Sequence, residues 1–270
     1  MSTLVIFGYL SAILIGVSLG LIGGGGSILT VPILVYLLGI APVMATAYSL
    51  FVVGTTSLVG AIKNIHQKNI NLKAGIIFSI PSLLAVFLTR RFIMPAIPDQ
   101  IFQVDSISIS KELLIMLGFA VLMVFTSISM IRQKKIKDME EYRVLTFNYP
   151  MIFIEGTVVG ILTGFVGAGG GFLIIPALVI FSKLPMKIAV GTSLLIIQLK
   201  SIIGFTGDLY NAHSMDWSLL LTFTLFSVIG IFIGNSLSVK VPSQKLKPAF
   251  GWFVLAMGIY IIIKELITIN

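Results

Sequence analysis

Two glycine clusters, Gly23–Ser27 and Gly167–Gly171, and one lysine, Lys200, are the residues best suited to chemistry in this 270-residue chain. Consecutive glycines leave backbone N–H groups unshielded and permit positive φ. Such N–H groups can form a nest for an anion, and a helix starting just beyond adds its positive end. The candidate contacts are Gly24, Gly25, Gly26 and Ser27 in the first cluster, and Gly169, Gly170 and Gly171 in the second. Lys200 would add a full positive charge inside an apolar segment, where an ionisable group marks a functional position by default. Ser193 lies seven residues before it on the same helical face, and Ser49 and Thr56 repeat that spacing earlier in the chain. Thr192 and Gln198 complete the set, Gln198 falling on roughly the opposite side of the helix from Lys200.

Each candidate also has a plain structural reading. Glycines serve close helix packing, as Gly16-x-x-x-Gly20 and Gly160-x-x-x-Gly164 read. Helical hydroxyls bond back to their own carbonyls. Lys200, read as lying near a helix end, can snorkel to the outer surface. Tyr48 reads as an interfacial anchor, and Asn64 and Asp208 as helix caps.

Other chemistries find little footing. Cysteine is absent, so no disulfide, thiolate metal site or thiol nucleophile exists. His66 and His213 fall in separate loops with no acid nearby to complete a ligand set. Neither glycine cluster ends in the Gly-Lys-Ser/Thr of a P-loop. Glu155, early in its segment, either complements a helix N-terminus or takes part in proton coupling. No catalytic set and no cofactor are expected.

The elements that must position these residues are membrane helices. Hydrophobic residues make up 57% and charged residues 10% of the chain, against about 25% charged in a soluble domain. Mean hydropathy is +1.09. Apolar segments fall near 4–22, 28–40, 43–62, 74–89, 112–131, 150–166, 172–182, 186–206, 217–237 and 249–267. Most reach the length of about 17–25 residues that a spanning helix needs. The two that follow the glycine clusters are short and contain a proline. The first apolar stretch reads as mature structure, since no Lys or Arg precedes it and no A-x-A site follows.

An offset of 144 residues superimposes 16–61 on 160–205 with 14 identities in 46 positions and no gap. Glycines, a proline (Pro32/Pro176) and serines coincide in register, which apolar composition alone does not produce. The chain thus divides into a first transmembrane repeat, 1–131, a basic linker, 132–149, and a second repeat, 150–270. Arg132, Lys134, Lys135, Lys137 and Arg143 place the linker in the cytoplasm. Tracing outward puts Arg90, Arg91, Lys111 and Lys264 outside, and Arg90-Arg91 fits this trace least well. The halves come out inverted, as in many secondary transporters. The expected fold is an all-α polytopic membrane protein of about 8–10 membrane segments, built from two inverted repeats with broken or re-entrant helices at the glycine motifs. The expected location is the cell (inner) membrane.

The segments GLIGGGGSILTVPILVYLLGIAPVMATAYSL and GFVGAGGGFLIIPALVIFSKLPMKIAVGTSL carry a shared pattern: a glycine cluster, a proline six residues after its last shared glycine, then Ala-x-x-x-Ser-Leu. This pattern resembles that of the sulfite exporter TauE/SafE family of membrane permeases. The resemblance covers nearly the whole chain. It implies secondary transport of a small sulfur-containing anion such as sulfite or an organosulfonate, by alternating access. An anion channel, or the membrane component of a larger complex, is the alternative. The expected partners are that anion and the lipid bilayer, with a coupling proton or sodium ion and a homodimer as further candidates and nucleic acid excluded. The first half departs from the second, with Tyr48 for Thr192 and Thr56 for Lys200, so the second half is expected to supply more of the charge.

Overall fold

The computed structural model describes residues 3–104, 107–132, 149–180, 182, 184–209, 215–238 and 243–269. Most of the basic linker and His213 lie outside the described residues. The chain begins with α1 (Thr3–Ile22), a 3-10 segment (Gly23–Leu29) and α2 (Thr30–Tyr36). Next come α3 (Pro42–His66) and α4 (Leu72–Leu88), the latter continued by a π-helical stretch (Thr89–Ile93) and a short α5 (Met94–Ala96). A hairpin of β1 (Gln100–Val104) and β2 (Ile107–Ser110) leads to α6 (Lys111–Ile131). The second half comprises α7 (Tyr149–Val166), α8 (Gly171–Ile180), α9 (Met186–Leu209), α10 (Trp217–Leu237) and α11 (Ser243–Ile269). These match the ten apolar segments, and the class is all-α and polytopic. The small antiparallel hairpin, pairing Phe102↔Ile109 to Val104↔Ile107 and shifting register towards Gln100↔Ser110, occupies the connection between α5 and α6.

Local chemistry sets the helix starts. Pro42 stands at the first helical position of α3, where its missing N–H costs nothing. Asn71, Ser110 and Asp216 cap α4, α6 and α10 by accepting from Ala74 N, Leu113 N and Leu219 N at 3.0, 3.2 and 3.0 Å. Six helical runs (Pro42–His66, Leu72–Ala96, Lys111–Ile131, Met186–Leu209, Trp217–Leu237 and Pro248–Ile267) are long and apolar enough to cross a membrane. Leu14, Phe125, Ile154, Leu225 and Ile267, each at least 59% exposed, are apolar surface of the kind that a bilayer covers.

The run Phe7–Tyr36 also has spanning length, but it is folded back on itself. Gly23 takes φ +72°, and a β-carbon on Gly26 would strike Ser18 and the backbone of Leu19, seven to eight residues upstream. Farther along, Leu38 packs against Gly8, its Cδ2 2.5 Å from where a β-carbon would stand. α1 and α2 therefore form a helical hairpin. The second half repeats the device: Gly167, Gly169 and Gly170 take φ +73°, +64° and +66°, and Gly170 returns against Thr163. These left-handed conformations explain the glycines, since a β-carbon makes them costly.

Each long helix has its main partner in the other half: α1 with α10, α7 with α4, α3 with α9, and α6 with α11. α3 and α9, equivalent in the repeat, cross antiparallel. Gly54 faces Ser201 and Ile202, Gly60 faces Leu194, and Gly204 faces Leu50. The last two are one contact exchanged between the halves, because 60 and 204, and 50 and 194, each differ by 144.

The Gly-x-x-x-Gly pairs do serve packing. Gly16 and Gly20 sit against Gly230, Ile231, Gly234 and Asn235, and Gly160 and Gly164 sit against Ser82, Ala85 and Thr89. Gly230 lies on the carbonyl of Ile13, while Gly118 has its nearest neighbour, Phe165, at 3.7 Å. Overpacking of this kind costs about 1–3 kcal/mol or more. Gly230→Val is therefore expected to lower the unfolding temperature by several degrees in detergent, whereas Gly118→Ala leaves it within a degree or two. Equal effects of the two would contradict the packing role.

Candidate functional site

The two glycine clusters meet. Gly24 and Gly171 stack backbone to backbone, and each cluster touches side chains at the middle of the α3/α9 crossing: Gly24 lies on Ile197, and Gly169 on Val53 and Ile197. Gly23 packs on Val190 of α9 and Gly167 on Thr46 of α3, another contact exchanged between the halves. Every residue from Gly23 to Thr30, and Gly167 to Gly171, is buried. Gly26, by contrast, rests on its own helix α1, and Gly25 faces Ile22 and Met130.

Lys200 is fully buried. Its Nζ donates to Thr163 Oγ1 at 3.0 Å and stands 2.6 Å from where a β-carbon on Gly170 would be. The lysine does not snorkel: α9 runs nine residues beyond it to Leu209, and the side chain turns inward onto the second glycine turn. No carboxylate among the described residues lies within ion-pair distance of it.

The hydroxyl candidates divide. On α3, Ser49 lies between Thr46 and Val53, which touch Gly167 and Gly169. At spacings of three and four residues the three share a face, and Ser49 Oγ is buried with no hydrogen-bond partner among the described residues. On α9, Ser193 occupies the matching place between Val190 and Ile197, with its Oγ donating to Val190 O at 2.8 Å. Ser27 Oγ donates to Gly24 O at 2.7 Å, bracing the first turn. Thr56 is drawn away to Ser227 Oγ at 3.1 Å. Thr192 Oγ1 accepts from Asn71 N at 3.0 Å, tying α9 to the start of α4. Gln198 is half-buried, about 200° around the helix from Lys200. Tyr48 is buried, its hydroxyl accepting from Asp216 N at 2.6 Å, so it braces the start of α10 and is no surface anchor.

Three buried groups were not singled out from the sequence. Ser57 and Ser201, equivalent in the repeat, both have buried hydroxyls without a partner among the described residues, and Ser201 faces Gly169. The third is Arg90, 1% exposed. Its Nη1 donates to Thr46 Oγ1 at 3.0 Å and lies 3.3 Å from Asp208 Oδ2. Asp208 is thus an ion-pair partner and caps no helix, while Asn64 bonds back to Gly60 O at 2.9 Å. Arg90 explains why Arg90-Arg91 fits poorly as loop charge: it is an interior residue. The first half thus has a buried basic residue of its own, paired with Asp208 of the second half. Among the described residues no group of three or more His, Asp or Glu could hold a metal.

The arrangement is a closed interior that brings together two buried glycine turns, unpartnered hydroxyls and one lysine inside a multi-pass membrane protein. The model of the sulfite exporter TauE/SafE family matches residues 9–261. A probable membrane transporter protein of Xylella fastidiosa is 30% identical over 257 residues, covering 92% of this chain and 91% of the relative. The probable membrane transporter protein YunE of Bacillus subtilis is 25% identical over 270 residues, covering 92% and 93%. A shorter match, 34% identical over 117 residues, joins 41% of the chain to 43% of the probable membrane transporter protein MJ0441 of Methanocaldococcus jannaschii. No solved structure matches. The chain belongs to the sulfite exporter TauE/SafE family and is a membrane transporter.

Proposed function

We propose that the protein is a secondary transporter of a small sulfur-containing oxyanion, sulfite or an organosulfonate, across the cell membrane by alternating access. The single observation that carries this reading is Lys200: an amino group buried with no carboxylate partner among the described residues, held by Thr163 against the glycine turn at Gly170. Protonated there, it would be a lone buried cation, which is costly, and an incoming anion would stabilise that charge. The buried, unpartnered hydroxyls of Ser49 and Ser201 would supply further donors, as would amides freed at the glycine turns around Gly24 and Gly169–Gly171. Thr56, Thr192, Gln198, Gly25 and Gly26 stand back from this centre. The sulfur chemistry rests on the family's name.

Alternating access is supported by the exchange of contacts between the halves. Equivalent helices that cross antiparallel are what a twofold axis in the membrane plane would give, and the centre is buried from both sides. The absence of cysteine makes a direct topology test simple. Single cysteines at Gln67 and Leu209, at the ends of α3 and α9, are expected to label from opposite sides of the membrane. Labelling of both from one side would contradict the inverted arrangement. Uptake of radiolabelled sulfite into proteoliposomes tests the function itself. Accumulation driven by a proton or sodium gradient is expected, whereas equilibration that no gradient can drive uphill would indicate a channel.

A further inference from the structure

Arg90 has a use that ion pairing with Asp208 does not exhaust. All of its described polar contacts fall on one nitrogen, Nη1, which meets Thr46 Oγ1 at 3.0 Å and the Asp208 carboxylate at 3.3–3.5 Å. Nε and Nη2 are buried with no hydrogen-bond partner among the described residues. Those two nitrogens form one edge of the planar guanidinium and carry the parallel N–H pair that matches two oxygens on one central atom. Buried donors are ordinarily satisfied, so an unused edge of this kind in a fully buried arginine points to a ligand.

The surrounding structure holds that edge in place. The π-helical stretch Thr89–Ile93 widens α4 where Arg90 leaves it. Gly207 of α9 admits its stem, since a β-carbon there would stand 3.0 Å from Arg90 Cβ. Thr46, which takes one N–H of Nη1, is also the residue on which Gly167 turns, so Arg90 is one residue removed from the second glycine cluster. Asp208 lies eight residues beyond Lys200 on α9, about 12 Å along the helix.

We propose that Arg90 forms a second anion-recognition site, taking the O–X–O edge of a small oxyanion such as a sulfonate or carboxylate through Nε and Nη2, with Asp208 as the positioning residue that occupies Nη1. This inference rests on the reading of the protein as an oxyanion transporter and adds a basis for selectivity: a fork recognises two oxygens, whereas Lys200 recognises charge. A halide has no such edge.

The test is equilibrium binding to the purified full chain in detergent, with methanesulfonate, acetate and bromide as probes. Arg90→Lys keeps the charge and removes the fork. It is expected to weaken methanesulfonate and acetate at least tenfold while leaving bromide within about twofold. Asp208→Asn keeps an acceptor for Nη1 and removes the negative charge, so it is expected to tighten methanesulfonate several-fold. The double variant Arg90→Gln/Asp208→Asn removes both charges together and avoids a lone buried ion; it is expected to show the same oxyanion loss as Arg90→Lys. Wild-type methanesulfonate affinity in Arg90→Lys or in the double variant would overturn the inference, as would an equal loss of bromide or an unchanged affinity in Asp208→Asn. Binding lost in Lys200→Met but kept in both Arg90 variants would remove the second site and leave the proposed function standing. A wild-type protein that binds none of the three probes would overturn both.

Discussion

Lys200→Met is expected to weaken binding of the transported oxyanion more than tenfold while raising the thermal stability of the ligand-free protein. The two effects have opposite signs because the lysine serves the ligand and burdens the fold. A hydrogen bond to a charged group is worth about 1.5–3 kcal/mol, and 1.4 kcal/mol is a factor of ten in affinity. In the ligand-free protein the amino group is buried, with the Thr163 hydroxyl at 3.0 Å its one described hydrogen-bond partner, and burying it unpaired costs free energy whether it sheds its proton or keeps it. Methionine preserves the length and apolar stem, so packing against Gly170 survives. Sulfite titrations and unfolding curves on the same preparations check both halves. If Lys200 were only structural, its replacement would lower stability and leave affinity unchanged. Lys200→Arg does not offer an intermediate case. The guanidinium is larger, and Nζ already stands 2.6 Å from where a β-carbon on Gly170 would lie, so arginine is expected to destabilise the fold.

Lys200, Ser193 and the glycine clusters were legible in the sequence because their relations are short-range. A seven-residue spacing fixes a shared helical face, and glycines repeated in register fix two equivalent turns. The ten segments and the all-α class follow from runs of apolar residues that water could not cover. What was not legible depended on distant contacts. Arg90 sits beside Arg91 in a polar-looking stretch, and only the π-helical widening, Gly207 and Asp208, over a hundred residues away, make it an interior residue. Thr192 looks like Ser193 in sequence, yet it is consumed by Asn71 N. Thr56 matches Lys200 in the repeat but turns to Ser227 of α10. Whether a glycine cluster merely interrupts a helix or reverses it depends on φ at Gly23 and Gly167, and composition does not report φ. The hairpin at 100–110 escaped because its mixed polar and apolar residues give no helical period.

The same geometry separates glycines that the sequence treats alike. Gly24→Val and Gly171→Val are expected to abolish sulfite transport, and Gly25→Ala to leave it near wild type. Gly24 and Gly171 touch through their backbones, so any side chain on either must push the two turns apart. Gly169→Val belongs with the severe class, since its φ is +64° and Val53 stands 2.6 Å from where its β-carbon would be. A left-handed conformation costs an L residue about 1–2 kcal/mol, and overpacking adds about 1–3 kcal/mol. Gly25 carries neither burden: its φ is not left-handed, and its nearest neighbours are Ile22 at 3.0 Å and Met130 at 3.9 Å, both side chains that can yield. Flux in proteoliposomes, read beside unfolding temperature, distinguishes a lost site from a lost fold. Separating the turns shifts the second one, whose Gly170 meets Lys200, so a Gly24→Ala protein that folds with a wild-type unfolding temperature should still lose transport. Normal flux in that variant would reduce the glycine contact to packing and leave Lys200, without the backbone donors, to hold the anion by charge.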